Sequence, residues 1–220
     1  MNAPLPLKIT LETSQAAAKA AAEQISRASN EVAGLLAQRL VQETQGEVLF
    51  SAADRGRYAT DASIYQVSPI GVLVPKSAQD VQTALDMCRD MGVPIVPRGG
   101  GTSQCGQTVG AGLVLDHAKH LRRILRVDTE KREVTVEPGI VLDHLNAHLK
   151  PYGLWYPVDV STSAQATLGG MAGNNSCGSR SIAYGNMVHN VAGVEAWLAD
   201  GRLLSFGPVA GLGAAERGIA

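Results

Sequence analysis

Pro97-Arg98-Gly99-Gly100-Gly101-Thr102-Ser103-Gln104-Cys105-Gly106-Gln107 and Thr167-Leu168-Gly169-Gly170-Met171-Ala172-Gly173-Asn174-Asn175-Ser176-Cys177-Gly178 are the two stretches that decide how this chain folds. Both combine glycines with short hydroxyl or amide side chains, so main-chain N–H groups stay bare and a large anionic ligand can lie against them. Two such segments, separated by folded sequence, predict one long ligand held in more than one place.

The first segment leaves a β-α-β unit. Ile70–Val74 is an apolar run with strand character, followed by Ser77 as helix N-cap with Asp80 three residues on. Val81, Leu85 and Cys88 recur at helical spacing, which predicts a helix from Ala78 to Met91. Gly92 ends it, and Ile95-Val96 begins a second strand, expected to lie parallel to the first. The glycine-rich loop thus emerges from a strand's C-terminal end, where α/β units bind ligands. Its contiguous glycines do not match a dinucleotide fingerprint, and it lacks the lysine of a triphosphate-binding loop. In the second segment Thr167 is placed to cap a short helix starting at Leu168, and a helix N-terminus favours negative charge.

Upstream, residues 14–44 are rich in Ala, Gln and Glu with an apolar stripe of Ile25, Val32, Leu35, Leu36, Leu40 and Val41, which predicts one or two helices with a break near Ser29-Asn30 or Gly34. Glu47–Phe50 reads as a short strand, with Ser51 capping a turn. Downstream, Leu113–Leu115, Ile124–Val127 and Val134–Glu137 are expected to form an antiparallel meander turning at Asp128–Lys131. Ile140–Lys150 reads as a helix with Leu142, Leu145 and Leu149 on one face, and Val191–Phe206 as a hairpin turning at Asp200-Gly201. The fold class is therefore α+β: a parallel part, then an antiparallel part, behind N-terminal helices.

Composition narrows the functions. The chain has 220 residues and a formal charge of −1, with no basic field to attract nucleic acid. Three widely spaced cysteines (Cys88, Cys105, Cys177) contain no CxxC pair, so no disulfide framework or iron–sulfur or zinc site is encoded, and reduced thiols in the cytoplasm are expected. The N-terminus lacks a signal pattern and no apolar run approaches a membrane span, which leaves attachment through another subunit open. His144 and His148 are four apart on a helix, yet beside the apolar face and without a third ligand, so a solvent-exposed pair is expected. Cys105 and Cys177 are expected to be small, partly buried packing residues.

The strings VPRGGGTSQCGQTVG, VEPGIVLDHLNAHL and WYPVDVSTSAQATLGGMAGNNSCGSRSIAYGN together resemble the FAD-binding domain of the PCMH-type (vanillyl-alcohol-oxidase-like) flavoproteins, in the branch of D-lactate, glycolate and D-2-hydroxyglutarate dehydrogenases. RYATDASIYQVSPIGVLVPKS resembles the opening of that domain in large members that carry an iron–sulfur region. The resemblance implies a two-subdomain PCMH-type fold, divided as an N-terminal tail and helical segment (1–45), a parallel subdomain (46–112), an antiparallel subdomain (113–207) and a linker (208–220). It implies that Arg98, Gly99, Gly100, Gly101, Thr102 and Ser103 hold the FAD diphosphate with Gln107 nearby. Pro138, Gly139, Pro157, Asp159 and Thr162 would line the cofactor, and Thr167, Gly169, Gly170, Gly173, Asn174, Asn175, Cys177 and Gly178 would wrap the flavin and its ribityl chain. The first loop holds no histidine, so the FAD is expected to be non-covalent; an iron–sulfur cluster is expected only in sequence beyond this chain. A bulky residue at Gly100 is expected to expel FAD by blocking main-chain approach to the diphosphate. The implied chemistry is oxidation of a small D-2-hydroxy acid, with a partner subunit or electron acceptor completing it. The base and carboxylate-binding groups are not identifiable, and the chain stops in a stretch resembling an internal loop, so it is expected to be an N-terminal portion with little activity alone.

Overall fold

The computed structural model describes residue 19 and residues 30–207. Helix α1 occupies 30–43, and its register explains the buried pair Leu36 and Leu40, one turn apart and fully inaccessible. The predicted stripe is wider than the one observed: Val32 joins the core, but Leu35 and Val41 face solvent, and Ile25 lies outside the described residues. No break occurs at Gly34, which is helical, and the expected break at Ser29-Asn30 falls at the edge of the described residues.

A four-stranded sheet follows, built from β1 (Glu47–Leu49), β2 (Gly71–Val74), β3 (Ile95–Arg98) and β4 (Leu113–Asp116) in the order β1-β2-β4-β3. β1 runs antiparallel to β2, and β4 pairs parallel with both β2 and β3. This corrects two expectations. The strands flanking helix α3 (Ala78–Asp90) are parallel but not neighbours, because β4 lies between them. Leu113–Leu115 is therefore no part of an antiparallel meander. Its residues are nearly all buried, as suits a central parallel strand covered on both faces, whereas a meander strand would alternate. The glycine-rich segment 99–112 is itself the crossover from β3 to β4.

Helix α2 (Ala52–Tyr58) was expected only as a turn. Ser51 caps it by accepting from the Asp54 N–H at 3.1 Å, but α2 buries no residue and so carries no apolar period to read. α3 starts as predicted, with the Asp80 N–H donating to Ser77 Oγ, and Gly92 adopts a left-handed φ of 65° just beyond its end. The Asp80 carboxylate, 3 % exposed, accepts from the N–H groups of Gln45 and Lys76 at 2.9 and 2.8 Å, tying the approach to β1 to the start of α3.

The second core is antiparallel and helical. β5 (Ile124–Asp128) and β6 (Glu133–Val136) form a hairpin turning through Asp128, which accepts from the Lys131 N–H. Helix α4 (Leu142–Leu149) buries Leu142, Leu145 and Leu149, continues as a 3-10 turn over Lys150–Tyr152, and stops at Gly153. Three short helices complete it: α5 (Leu168–Gly173), α6 (Ser181–Tyr184) and α7 (Met187–Asn190). The hairpin of β7 (Val194–Trp197) and β8 (Leu203–Phe206) turns back onto the first core: Trp197 packs there, its Nε1–H donates to Gln82 Oε1, and Arg89 donates to the Asp200 carbonyl.

Candidate functional site

The two glycine-rich segments meet. Loop 99–107 leaves the end of β3 and nests against the turn ahead of α5 so closely that side chains are excluded. A Cβ on Gly99 would run into Thr167 Oγ1, and one on Gly100 into the Gln165 carbonyl. Thr167, 1 % exposed, accepts from the Gly170 N–H at the α5 N-terminus. Gly169 sits on Pro138 and donates to its carbonyl at 2.8 Å, while Leu168 donates to Ile140, so the 138–141 stretch and the start of α5 are laced together. At the open side, Gln107 Nε2 donates to Asn174 Oδ1 at 3.0 Å, joining side chains from the two segments directly.

Within the first loop a run of main-chain donors is left over. Among the described residues, the N–H groups of Gly100, Gly101, Thr102 and Ser103 find no acceptor. Gly100 is exposed and Gly101–Ser103 are half-buried, so these consecutive donors are open to solvent on a loop fixed at its base, an arrangement that can receive an anion. Gly101, at φ 66°, turns the loop, and its carbonyl accepts from the Ala62 N–H at 3.1 Å. Thr108 donates to Asp61 at 2.9 Å, a second fastening to the same upstream segment. This run of donors fits the diphosphate of a dinucleotide-type cofactor.

Other expected residues turn out to hold the frame. The Arg98 guanidinium lies beneath the loop, donating to the carbonyls of Tyr58 and Thr60 and stacking on the Tyr58 ring, whose hydroxyl donates to Asp116. Gly139 is buried against the His117 and Leu121 carbonyls, while Pro138 beside it is exposed. The Thr162 carbonyl accepts from Gln165 and Ala166, forming the turn on which Gly100 rests. Asp159 follows half-buried Pro157 and accepts from Ser179 Oγ and the Arg180 N–H; Gly178 packs directly on it. Asn175, at φ 45°, accepts from the Val188 N–H, and exposed Gly173 has open space around its Cα. Cys105 and Cys177 are both exposed, which corrects their expected partial burial: each sits on the outer turn of its loop, where glycines pack inward and the thiols do not. His144 and His148 are exposed, and no cluster among the described residues could hold a metal ion.

Sequence reasoning passed over two features. The segment Thr60–Ala62 anchors the first loop, and only its inclusion in the resembling string pointed to it. Beside Asp159, half-exposed Trp155 meets Tyr184 edge-on at 5.2 Å, with the Arg180 guanidinium over its face at 5.4 Å; Trp155 and Tyr184 lie too far apart in sequence for any periodicity to join them.

The carboxylates fastening the two loops are held below their ordinary values. For Asp159 the cause is the hydrogen bond from the Arg180 N–H, then that from Ser179. For Asp61, burial pushes the other way but is outweighed by bonds from Ser63 and Thr108. A depressed folded-state pKa gives stability that is present above the unfolded value, about 4, and lost as pH falls through the folded one. Flavin retention should therefore be flat from neutral pH down to about 5 and fall away below about 4. Titration of flavin fluorescence checks this; a loss centred near pH 6 would implicate other groups.

The profile of a family described as an FAD binding domain matches residues 69–207. D-2-hydroxyglutarate dehydrogenase of Pantoea ananatis is 41% identical over 167 residues, covering 74% of this chain and 16% of that protein. Glycolate oxidase subunit GlcD of Bacillus subtilis is 38% identical over 176 residues, 77% of this chain and 37% of the subunit. The chain thus spans well under half the length of these curated relatives. Among solved structures, an alkyldihydroxyacetonephosphate synthase superposes with a TM-score of 0.68 at 19% identity, over 78% of this chain and 34% of that one. The 6-hydroxy-D-nicotine oxidase of Arthrobacter nicotinovorans gives 0.65 at 24% identity, over 74% and 36%. These two likenesses show a shared α+β fold, and the family match, with the paired glycine-rich loops, leads to one conclusion: the chain belongs to the FAD-binding domain family that the match describes.

Proposed function

We propose that this chain is the FAD-binding portion of a flavin-dependent oxidoreductase that oxidises a small D-2-hydroxy acid of the lactate, glycolate or 2-hydroxyglutarate type. One observation carries the reading: the free N–H groups of Gly100–Ser103 lie on a loop locked against Thr167 and joined to Asn174. The identity with D-2-hydroxyglutarate dehydrogenase supports the substrate class. FAD, when bound, supplies an acceptor for the substrate's α-hydrogen as hydride at N5. The first loop neutralises the diphosphate through main-chain donors and the Thr102 and Ser103 hydroxyls. The second segment presents Asn174 and the open face at Gly173 alongside it. Asp159 keeps the Gly178–Arg180 turn fixed, so the wall beside the cofactor stays in place.

The alternative is an FAD-binding subunit without activity of its own. Oxidation of the acid needs a base for the hydroxyl proton and cations for the carboxylate. Supply of both by a further domain or partner subunit fits the small share of the relatives' length that this chain spans. Any iron–sulfur cluster would belong there too. We place the border between the two cofactor-binding halves after Asp116, and the cofactor as non-covalent. No described helix is long and apolar enough to cross a membrane.

An absorbance scan of the purified chain should show flavin bands, and acid precipitation should leave all the flavin in the supernatant; colour in the pellet would overturn non-covalent binding. Anaerobic mixing with D-lactate, glycolate and D-2-hydroxyglutarate then separates the readings. Bleaching by one of them establishes the dehydrogenase. Retained but unbleached flavin establishes the binding subunit.

A further inference from the structure

Away from the flavin loops, an open, solvent-facing cavity of about 220 Å³ lies between α1 and the start of the sheet. Asn30, Gly34 and Ala37 line it from α1, Phe50 and Ile70 from the strand ends, and Arg55 from α2. Arg55 makes it more than a packing gap. Arg55 Nε is shut off from solvent and has no hydrogen-bond partner, and among the described residues its guanidinium makes no ion pair. The neighbouring Asp54 carboxylate is already engaged by Ser51 and Arg57. Gly34, exposed on α1, leaves that rim of the cavity without a side chain. A guanidinium donor is costly to bury unpaired, and an occupant carrying an acceptor would relieve it.

We propose that this cavity binds a small monocarboxylate with a compact hydrocarbon body. The planar guanidinium fork matches a carboxylate in two-point contact. Among the described residues the Asn30 amide is the one other polar lining group, too little to neutralise a phosphate, and the remaining walls are apolar or glycine. At about 30 Å³ per water-sized group the volume takes roughly seven of them, the scale of a benzoate. Phe50 supplies an aromatic wall for such a body. Arg55 and Phe50 precede the segment matched by the family profile, so the site stands apart from the flavin reading.

The test uses the whole 220-residue chain, with sodium benzoate as probe, benzamide as its neutral counterpart, and inorganic phosphate as an anion without a hydrocarbon body. Benzoate should raise Tm saturably, by about 4 °C at about ten times its Kd, and shift the amide resonances of Gly34 and Phe50; benzamide and phosphate should do neither. Arg55→Met, which removes the unpaired cation, should fold at least as well as the parent and weaken benzoate about tenfold or more. Gly34→Leu, which fills the space from an exposed helix position, should do the same, and it decides the matter if Arg55→Met does not fold. Flavin content should stay at the parent level in both variants, which separates this result from any failure of the flavin reading. No shift with benzoate, an equal shift with benzamide or phosphate, or undiminished binding in Gly34→Leu would each overturn the proposal.

Discussion

Replacing Gly100 with valine should strip the protein of flavin and lower its stability together. The reason differs from the one that the sequence suggested. A bulky residue there was expected to stand between the main chain and the diphosphate. In the structure the new Cβ runs into the Gln165 carbonyl, a backbone atom with no rotamer to adopt. The loop must lift off the 165–167 turn, at about 1–3 kcal/mol for a forced overpacking. Once lifted, the N–H groups of Gly100–Ser103 lose their fixed placement beside the second segment, and flavin affinity should drop about tenfold for each 1.4 kcal/mol of lost interaction. Gly56→Ala is the matched control. It is exposed with open space around it on α2, and alanine suits a helix better by about 0.5–1 kcal/mol. Flavin content per chain and the urea midpoint, measured on both variants, check the argument. Gly100→Val with full flavin and an unchanged midpoint would remove the loop contact from the explanation.

Asp80→Ala should be the largest purely structural loss in the first core. The carboxylate is almost wholly buried and holds two main-chain N–H groups, Gln45 and Lys76, on either side of the α3 N-terminus. Hydrogen bonds to a charged acceptor contribute about 1.5–3 kcal/mol each, and truncation leaves both donors without one, so a loss of about 3–6 kcal/mol is expected. Asp80→Asn keeps one acceptor oxygen and should fall between. Urea unfolding followed by circular dichroism orders the three proteins; an asparagine variant as stable as the parent would show that the charge at this helix start is unimportant. β4 stands between β2, which leads into α3, and β3, which leads into the first flavin loop, so bound flavin in folded Asp80→Asn should match the parent.

Local signals carried much of this fold into the sequence. Ser77 with Asp80, the Val81–Cys88 spacing and Gly92 each act within a turn or two of chain, and α3 appears where they put it. Thr167 does cap a short helix, and the Asp128 and Asp200-Gly201 turns reverse their hairpins. α2 was missed for a physical reason: a helix that buries nothing leaves no periodicity. The position of β4 was missed for another. Leu113-Val114-Leu115 says only that the strand is buried, and which strands flank it depends on the long 99–112 connection.

The candidate site divides the same way. By itself the sequence determined that two glycine-rich loops exist, that one caps a helix, and that an anionic cofactor would suit both, since these properties belong to residue type and short-range geometry. Only the tertiary structure decided that the glycines at 99 and 100 are spent on packing one loop against the other, that Arg98 braces the frame beneath them, and that Gln107 reaches Asn174. Contacts across such separations are set by how the two cores pack, and a single chain of letters carries no distance between them.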